Sequence, residues 1–160
     1  MRRLLILLAV GTLLVTGVEA NSTIFLVRHA EKSNATPEDK DPGLTAAGVT
    51  RAERLATILK GAHITAIFVT EFKRTRLTAQ PLAQALMLQV TVIKAGDSDA
   101  LAKSLQQSKG NVLVVGHSNT VPELLKRLGV AIPIEIGEND YDHLFAVTIG
   151  DRPQLTHSRY

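Results

Sequence analysis

Short apolar runs alternate with longer stretches in which apolar residues return every three or four positions, from Thr23 to Ile149. The short runs are Thr23–Val27, Ala66–Val69, Val90–Ile93, Val112–Val115 and His143–Ile149, rich in β-branched and aromatic residues, and they predict strands. Between the first two, Thr45 is placed to cap a helix in which Val49, Ala52, Leu55, Ala56 and Leu59 share a face, ending at Gly61. A second helix is expected over Arg76–Leu86 with Leu77, Leu82, Ala85 and Leu86 inward and Pro81 near a boundary or kink. A third is expected over Ala100–Gln107. A fourth follows Val112–Val115, with Pro122 in its first turn, Leu124, Leu125 and Leu128 inward, and Gly129 closing it. Strands alternating with helices predict an α/β fold, a three-layer α/β/α sandwich around a mostly parallel sheet. Asn34–Gly43, with two prolines and four charges, reads as a solvated loop beside the end of the first strand.

The first twenty residues stand apart from this pattern. Arg2-Arg3, the apolar run from Leu4 to Val10, and Val18-Glu19-Ala20 form a signal-peptide pattern, with cleavage expected after Ala20. The alternative is a retained anchor, but Leu4–Val18 is shorter than the roughly 20 residues a bilayer span needs. The expected organisation is therefore a leader over 1–20 and one domain over 21–160, periplasmic or secreted, with no stable membrane insertion after cleavage. The chain has no cysteine, so this exported domain must stand on its core without disulfides. Net charge is only +3 and aromatics make up 4% of the chain, without a long basic run, which argues against a nucleic-acid partner.

Polar residues follow directly on the strands. Arg28-His29 follow the first, Thr70 to Arg76 the second, and Gly116-His117-Ser118-Asn119 the fourth. In open α/β sheets ligands collect at the carboxyl ends of strands, so both histidines should face one crevice. Arginine offers a planar fork that matches phosphate oxygens, and two forks with a histidine can surround a phosphoryl group. Five histidines also raise a metal site, with Asp140, Asp142 and His143 close together, but no ligand spacing such as H-E-x-x-H occurs and arginines beside histidines disfavour a cation. His63, His157 and Arg76 read as surface residues, and Asn119 with Thr120 as a helix cap.

Leu26-Val27-Arg28-His29-Ala30-Glu31 resembles the R-H-G-E signature of the histidine phosphatase superfamily, which includes phosphoglycerate mutases. Leu44-Thr45-Ala46-Ala47-Gly48 resembles its L-T-x-x-G helix start, Thr70–Ala79 its S-P-L-x-R-A-x-x-T-A segment, and Val115–Ser118 its second-histidine motif. The four pieces occur in order across nearly the whole of residues 21–160. The resemblance implies that His29 is a nucleophile phosphorylated on a ring nitrogen, and that Arg28, Arg74 and His117 bind the transferred phosphoryl group. It implies no cofactor and no metal, the arginines supplying the positive charge. Ala30 stands where glycine is usual, Glu71 where proline is frequent, and Thr70 where serine is usual.

The proton donor to the leaving group is left open between Asp97, Asp99, Glu31 and Glu71, the two aspartates ranking first. The expected activity is hydrolysis of phosphomonoesters carried by a phosphorylated small molecule or a phosphate-bearing surface. The alternatives are a protein phosphohistidine phosphatase, to which the short chain is suited, and a phosphate-binding module without catalysis. A mutase ranks below these, given the compact chain and the expected export.

Overall fold

The computed structural model describes residues 22–160, so the expected leader and its cleavage point lie outside the described residues. In chain order the elements are β1 (Thr23–Arg28), α1 (Ala46–Leu59), β2 (Ile64–Thr70), α2 (Lys73–Leu86), β3 (Val90–Ile93), α3 (Ser98–Gln106), β4 (Asn111–Gly116), α4 (Thr120–Arg127), β5 (His143–Thr148) and β6 (Gln154–Arg159). The strands form one six-stranded sheet in the order β3-β2-β4-β1-β5-β6. The first four in that order are mutually parallel, and β5 and β6 add antiparallel, giving a mixed, mostly parallel sheet.

Successive side chains along a strand point to opposite faces, and that alternation divides the core in two. Ile24 and Leu26 of β1 and Val112 and Val114 of β4 pack against Leu105 of α3 and Leu124 and Leu125 of α4. Val27, Leu113 and Val115 turn the other way, onto Leu55 and Leu59 of α1 and Leu82 of α2. Three layers result, with α1 and α2 on one face and α3 and α4 on the other. Leu113 is fully buried at the centre of the sheet. Leu113→Ala is expected to destabilise the fold by about 2–5 kcal/mol, read as a shifted denaturation midpoint, because no disulfide shares the load.

Several elements differ from the sequence expectation. The sixth strand was not foreseen, because Gln154–Arg159 is a polar edge strand, largely exposed, and carries no apolar signal. Helix α2 starts at Lys73 rather than Arg76, so Arg74 lies in its first turn, and Pro81 sits inside the helix rather than at its boundary. Its inward stripe is Thr75, Thr78, Ala79, Leu82 and Ala83, while Leu77 and Ala85 face out. In α1 the inward position next to the cap is Gly48, and Val49 is 48% exposed. Thr45 does cap α1, its hydroxyl accepting from Gly48 N–H, and Gly129 closes α4 with a φ of 89°. Among the described residues no helix is long and apolar enough to cross a membrane.

Candidate active site

Parallel pairing of β1 with β4 sets Arg28 level with Gly116, so the residues after both strands emerge side by side. His29 N–H donates to the Gly116 carbonyl (2.9 Å), and the rings of His29 and His117 lie 5.3 Å apart, edge to face. A side chain on Gly116 would run into Thr120 Oγ1, the atom that accepts from His117 N–H (2.9 Å). Thr120 thus braces the second histidine, while Asn119 makes no side-chain capping bond.

His29 is 3% exposed, and its Nδ1 lies 2.8 Å from the Ala30 carbonyl. A carbonyl can only accept, so Nδ1 carries the proton and Nε2 keeps its lone pair. Burial drives the His29 pKa down to about 4 against the backbone bond, and the charges of His117, Arg74 and Arg28 add to the effect. His117 is also pushed down to about 4, by burial first and then by Arg74. Both rings are neutral near pH 7. The His117 Nε2 meets Thr70 Oγ1 at 2.9 Å, and Thr70 Oγ1 meets Thr75 Oγ1 at 3.0 Å, so a buried hydroxyl chain from α2 orients this ring.

Each histidine has an arginine and an aromatic ring beside it. Arg28 lies 4.4 Å over the Tyr141 ring, itself 6.1 Å from the His29 ring. Arg74 lies 4.1 Å over Phe72, whose ring is 5.3 Å from that of His117. Arg28 Nη1 donates to the carbonyls of Gly137 (2.6 Å) and Glu138 (2.8 Å). Arg74 Nη1 lies 3.5 Å from Asp41 Oδ1, which brings the solvated 34–43 loop onto the site. Burial, with Arg28 nearby, lowers the Arg74 pKa, and Asp41 and Glu71 oppose that. The Nε atoms of both arginines are buried with no acceptor among the described residues.

Behind these groups Thr78 Oγ1 accepts from Ala30 N–H (2.9 Å) and donates to the Arg74 carbonyl (2.7 Å), joining the His29 loop to α2. Gly48 has a matching purpose on α1, because a side chain there would collide with the Glu31 backbone. The Thr45 N–H donates to that same Glu31 carbonyl.

The four residues Arg28, His29, Arg74 and His117 therefore converge, and the proton-donor candidates largely do not. Glu31 turns to α1, where Arg51 holds it at 2.7 Å; its burial disfavours charge, yet the Arg51 hydrogen bonds outweigh this and lower its pKa. Asp99 pairs with Arg127 Nε (2.7 Å) at the far end of α4. Asp97 lies exposed at the start of α3, beside a narrow, mostly apolar cavity that it lines with Thr70 and Gly116. Only Glu71 has its charge felt at both His117 and Arg74, and its carboxylate accepts from Ala95 N–H (2.9 Å). Asp41, Tyr141 and Glu138 were missed because loop residues distant in sequence carry no periodic signal; the acidic Glu38-Asp39-Lys40-Asp41 run was the one available hint. Among the described residues no group of three or more His, Asp or Glu is placed to hold a metal ion.

Residues 24–95 match the family model described as histidine phosphatase superfamily (branch 1). Over that segment the chain is similar to this superfamily. The matched segment carries Arg28, His29 and Arg74, and the β1–β4 pairing brings His117 to them from outside it. No curated protein matches. The fold is similar to that of the protein histidine phosphatase SixA complexed with tungstate, at a TM-score of 0.73 and 22% identity over 86% of this chain and 96% of that one. A phosphoserine phosphatase from Entamoeba histolytica in complex with 3-phosphoglyceric acid gives a TM-score of 0.67 and 16% identity, covering 87% and 97%. A mycobacterial glucosyl-3-phosphoglycerate phosphatase complexed with VO3 gives 0.65 and 14%, covering 86% and 98%.

Proposed function

We propose that this protein is an exported, metal-independent phosphatase that hydrolyses phosphomonoesters through a phosphohistidine on His29. The observation that carries the reading is the free Nε2 lone pair of a buried, neutral His29, set beside His117 and two arginines that each keep a buried, unpartnered Nε–H. A buried donor without an acceptor costs about 1–3 kcal/mol, and an anion with several oxygens relieves both at once. Nε2 attacks phosphorus, the ester oxygen leaves, and the arginines and His117 neutralise the equatorial oxygens. Water then attacks the phosphohistidine and releases phosphate. Positioning and charge neutralisation supply most of the acceleration in such transfers.

For the leaving-group proton, Glu71 is the candidate this arrangement favours, and an exposed acid there suits leaving groups that need little help. Protein phosphohistidine phosphatase activity stays as the second reading, favoured by the fold similarity to SixA over nearly its whole length. Export rests on the leader pattern, which supports a periplasmic or extracellular setting and, with it, a small phosphorylated molecule or a surface phosphate as substrate.

Hydrolysis of p-nitrophenyl phosphate and of sugar phosphates by residues 21–160 should persist in chelator. Binding of phosphate without turnover would overturn the catalytic reading and leave a phosphate-binding module. The pH profile gives a second check. His29 must be neutral to attack, and its pKa is depressed from 6.5 to about 4. After correction for substrate ionisation, kcat should therefore hold through pH 6 and fall only as pH approaches 4; a fall in kcat centred near 6.5 would contradict a buried neutral nucleophile.

A further inference from the structure

The carbonyls that fix Arg28 belong to a turn that is itself closed by Asp140. Gly137 N–H donates to Asp140 Oδ2 (3.0 Å), and Asp140 N–H donates back to the Gly137 carbonyl (3.1 Å), the same carbonyl that accepts from Arg28. A side chain on Gly137 would fall against that carboxylate. With both hydrogens of Nη1 spent on this turn, Arg28 can offer only its Nε and Nη2 edge to an anion, where Nη2 lies 3.5 Å from the exposed Glu138 carboxylate, so the turn sets which face of the fork is presented.

Behind the carboxylate stands His143, the first residue of β5. Its side chain is 8% exposed, its Nε2 is buried with no hydrogen-bond partner, and that atom faces Asp140 Oδ2 at 3.9 Å. This is too long for a hydrogen bond but close enough for charge to matter. The other ring nitrogen, Nδ1, lies 2.9 Å from His157 Nε2 on β6, and the two rings stack at 4.9 Å. Phe145 stacks on the pair. The charged or titratable groups facing His143 are Asp140 and Asp142 from its own segment and His157 and Arg159 from β6. Burial leads in lowering its pKa, Arg159 and His157 add to that, and the two aspartates oppose it.

We propose that Asp140 is a positioning residue acting on Arg28 through the Gly137 turn, and that His143 makes this action sensitive to protonation. The proposal rests on the reading of Arg28 as a ligand of the phosphoryl group. At neutral pH Asp140 is committed to Gly137 and Arg28 is held. When His143 takes a proton, both ring nitrogens carry hydrogens, Nδ1–H serves His157 and Nε2–H competes with Gly137 for the same carboxylate oxygen. The turn slackens and Arg28 loses its fixed presentation, so phosphate affinity falls in acid.

The test compares the wild type with Asp140→Ala and Asp140→Asn, measuring inhibition by inorganic phosphate and the KM and kcat for p-nitrophenyl phosphate from pH 5 to 8. Asp140→Ala removes the acceptor for Gly137; KM and the phosphate inhibition constant should rise about five- to tenfold at pH 8, the size of one lost hydrogen bond, with kcat changed less. Asp140→Asn keeps an oxygen for Gly137 but carries no charge for His143. It should restore most of the affinity at pH 8 and lose the extra acid weakening that the wild type shows relative to it, the ionisation of phosphate itself cancelling in the comparison. Thermal melts of both variants separate this from a folding defect, since a merely destabilised protein would not split KM from kcat or drop the pH step. Alanine and wild type with equal phosphate affinity, or asparagine with the wild-type acid step, would overturn the proposal. A wild type that neither hydrolyses the ester nor is bound by phosphate would instead overturn the underlying reading, and this inference with it.

Discussion

Replacing His29 by alanine is expected to lower turnover of p-nitrophenyl phosphate by a factor on the order of 10⁴ to 10⁶, the scale seen when a covalent nucleophile is removed from a preorganised site. The fold should survive, because the ring's polar tie is a local one, Nδ1 to the neighbouring Ala30 carbonyl, and the backbone bond from His29 N–H to Gly116 is untouched by the change. Phosphate binding should survive as well, since Arg28, Arg74 and His117 remain. Loss of turnover with retained phosphate affinity separates covalent catalysis from mere binding. Acid quenching of the wild type during turnover should trap an acid-labile phosphoryl group that His29→Ala lacks. Residual turnover within tenfold of wild type would sink the assignment of His29 as nucleophile.

The second large effect is expected at Arg74. Its guanidinium stacks on Phe72, faces Asp41, and keeps Nε–H unpartnered beside His117. Arg74→Ala should lower kcat/KM by about 10³ or more, the range associated with an arginine that neutralises charge in phosphoryl transfer. Arg74→Lys should recover only a small part, because an ammonium is a point charge and offers neither the planar fork nor the same stacking on Phe72. Recovery to within tenfold by lysine would mean that Arg74 supplies charge alone and that the fork geometry is irrelevant. The 34–43 loop should respond too: Asp41→Asn releases one ionic restraint on Arg74, so its effect should appear in KM more than in kcat.

Much of this was legible in the sequence because it is written in local patterns. The runs Ile24–Val27 and Val112–Val115 are apolar throughout since both faces of a central strand are covered, and such runs can be read from composition alone. Thr45 and Gly48 could be read as a helix start, and the structure supplies the reason for the glycine, which is the close approach of the Glu31 backbone. The polar strand β6 could not be read, because an exposed edge strand lacks the apolar alternation that marks strands. Nor could the fate of the acids: Glu31 follows the His29 motif directly, yet its side chain crosses to Arg51 on α1, and Asp99 crosses to Arg127.

By itself, then, the sequence determined the periodic elements and which polar residues close the strands, since both depend on residues near one another along the chain. It also determined that Arg28 and His29 stand together. Only the tertiary structure decided how closely His117 approaches His29, that Arg28 is held by the distant carbonyls of Gly137 and Glu138, that Tyr141 and Phe72 flank the two histidines, and that Asp140 with His143 stands behind the turn. Those contacts join residues as much as 112 positions apart, and their geometry is set by strand register and loop closure, which have no local signature in the chain.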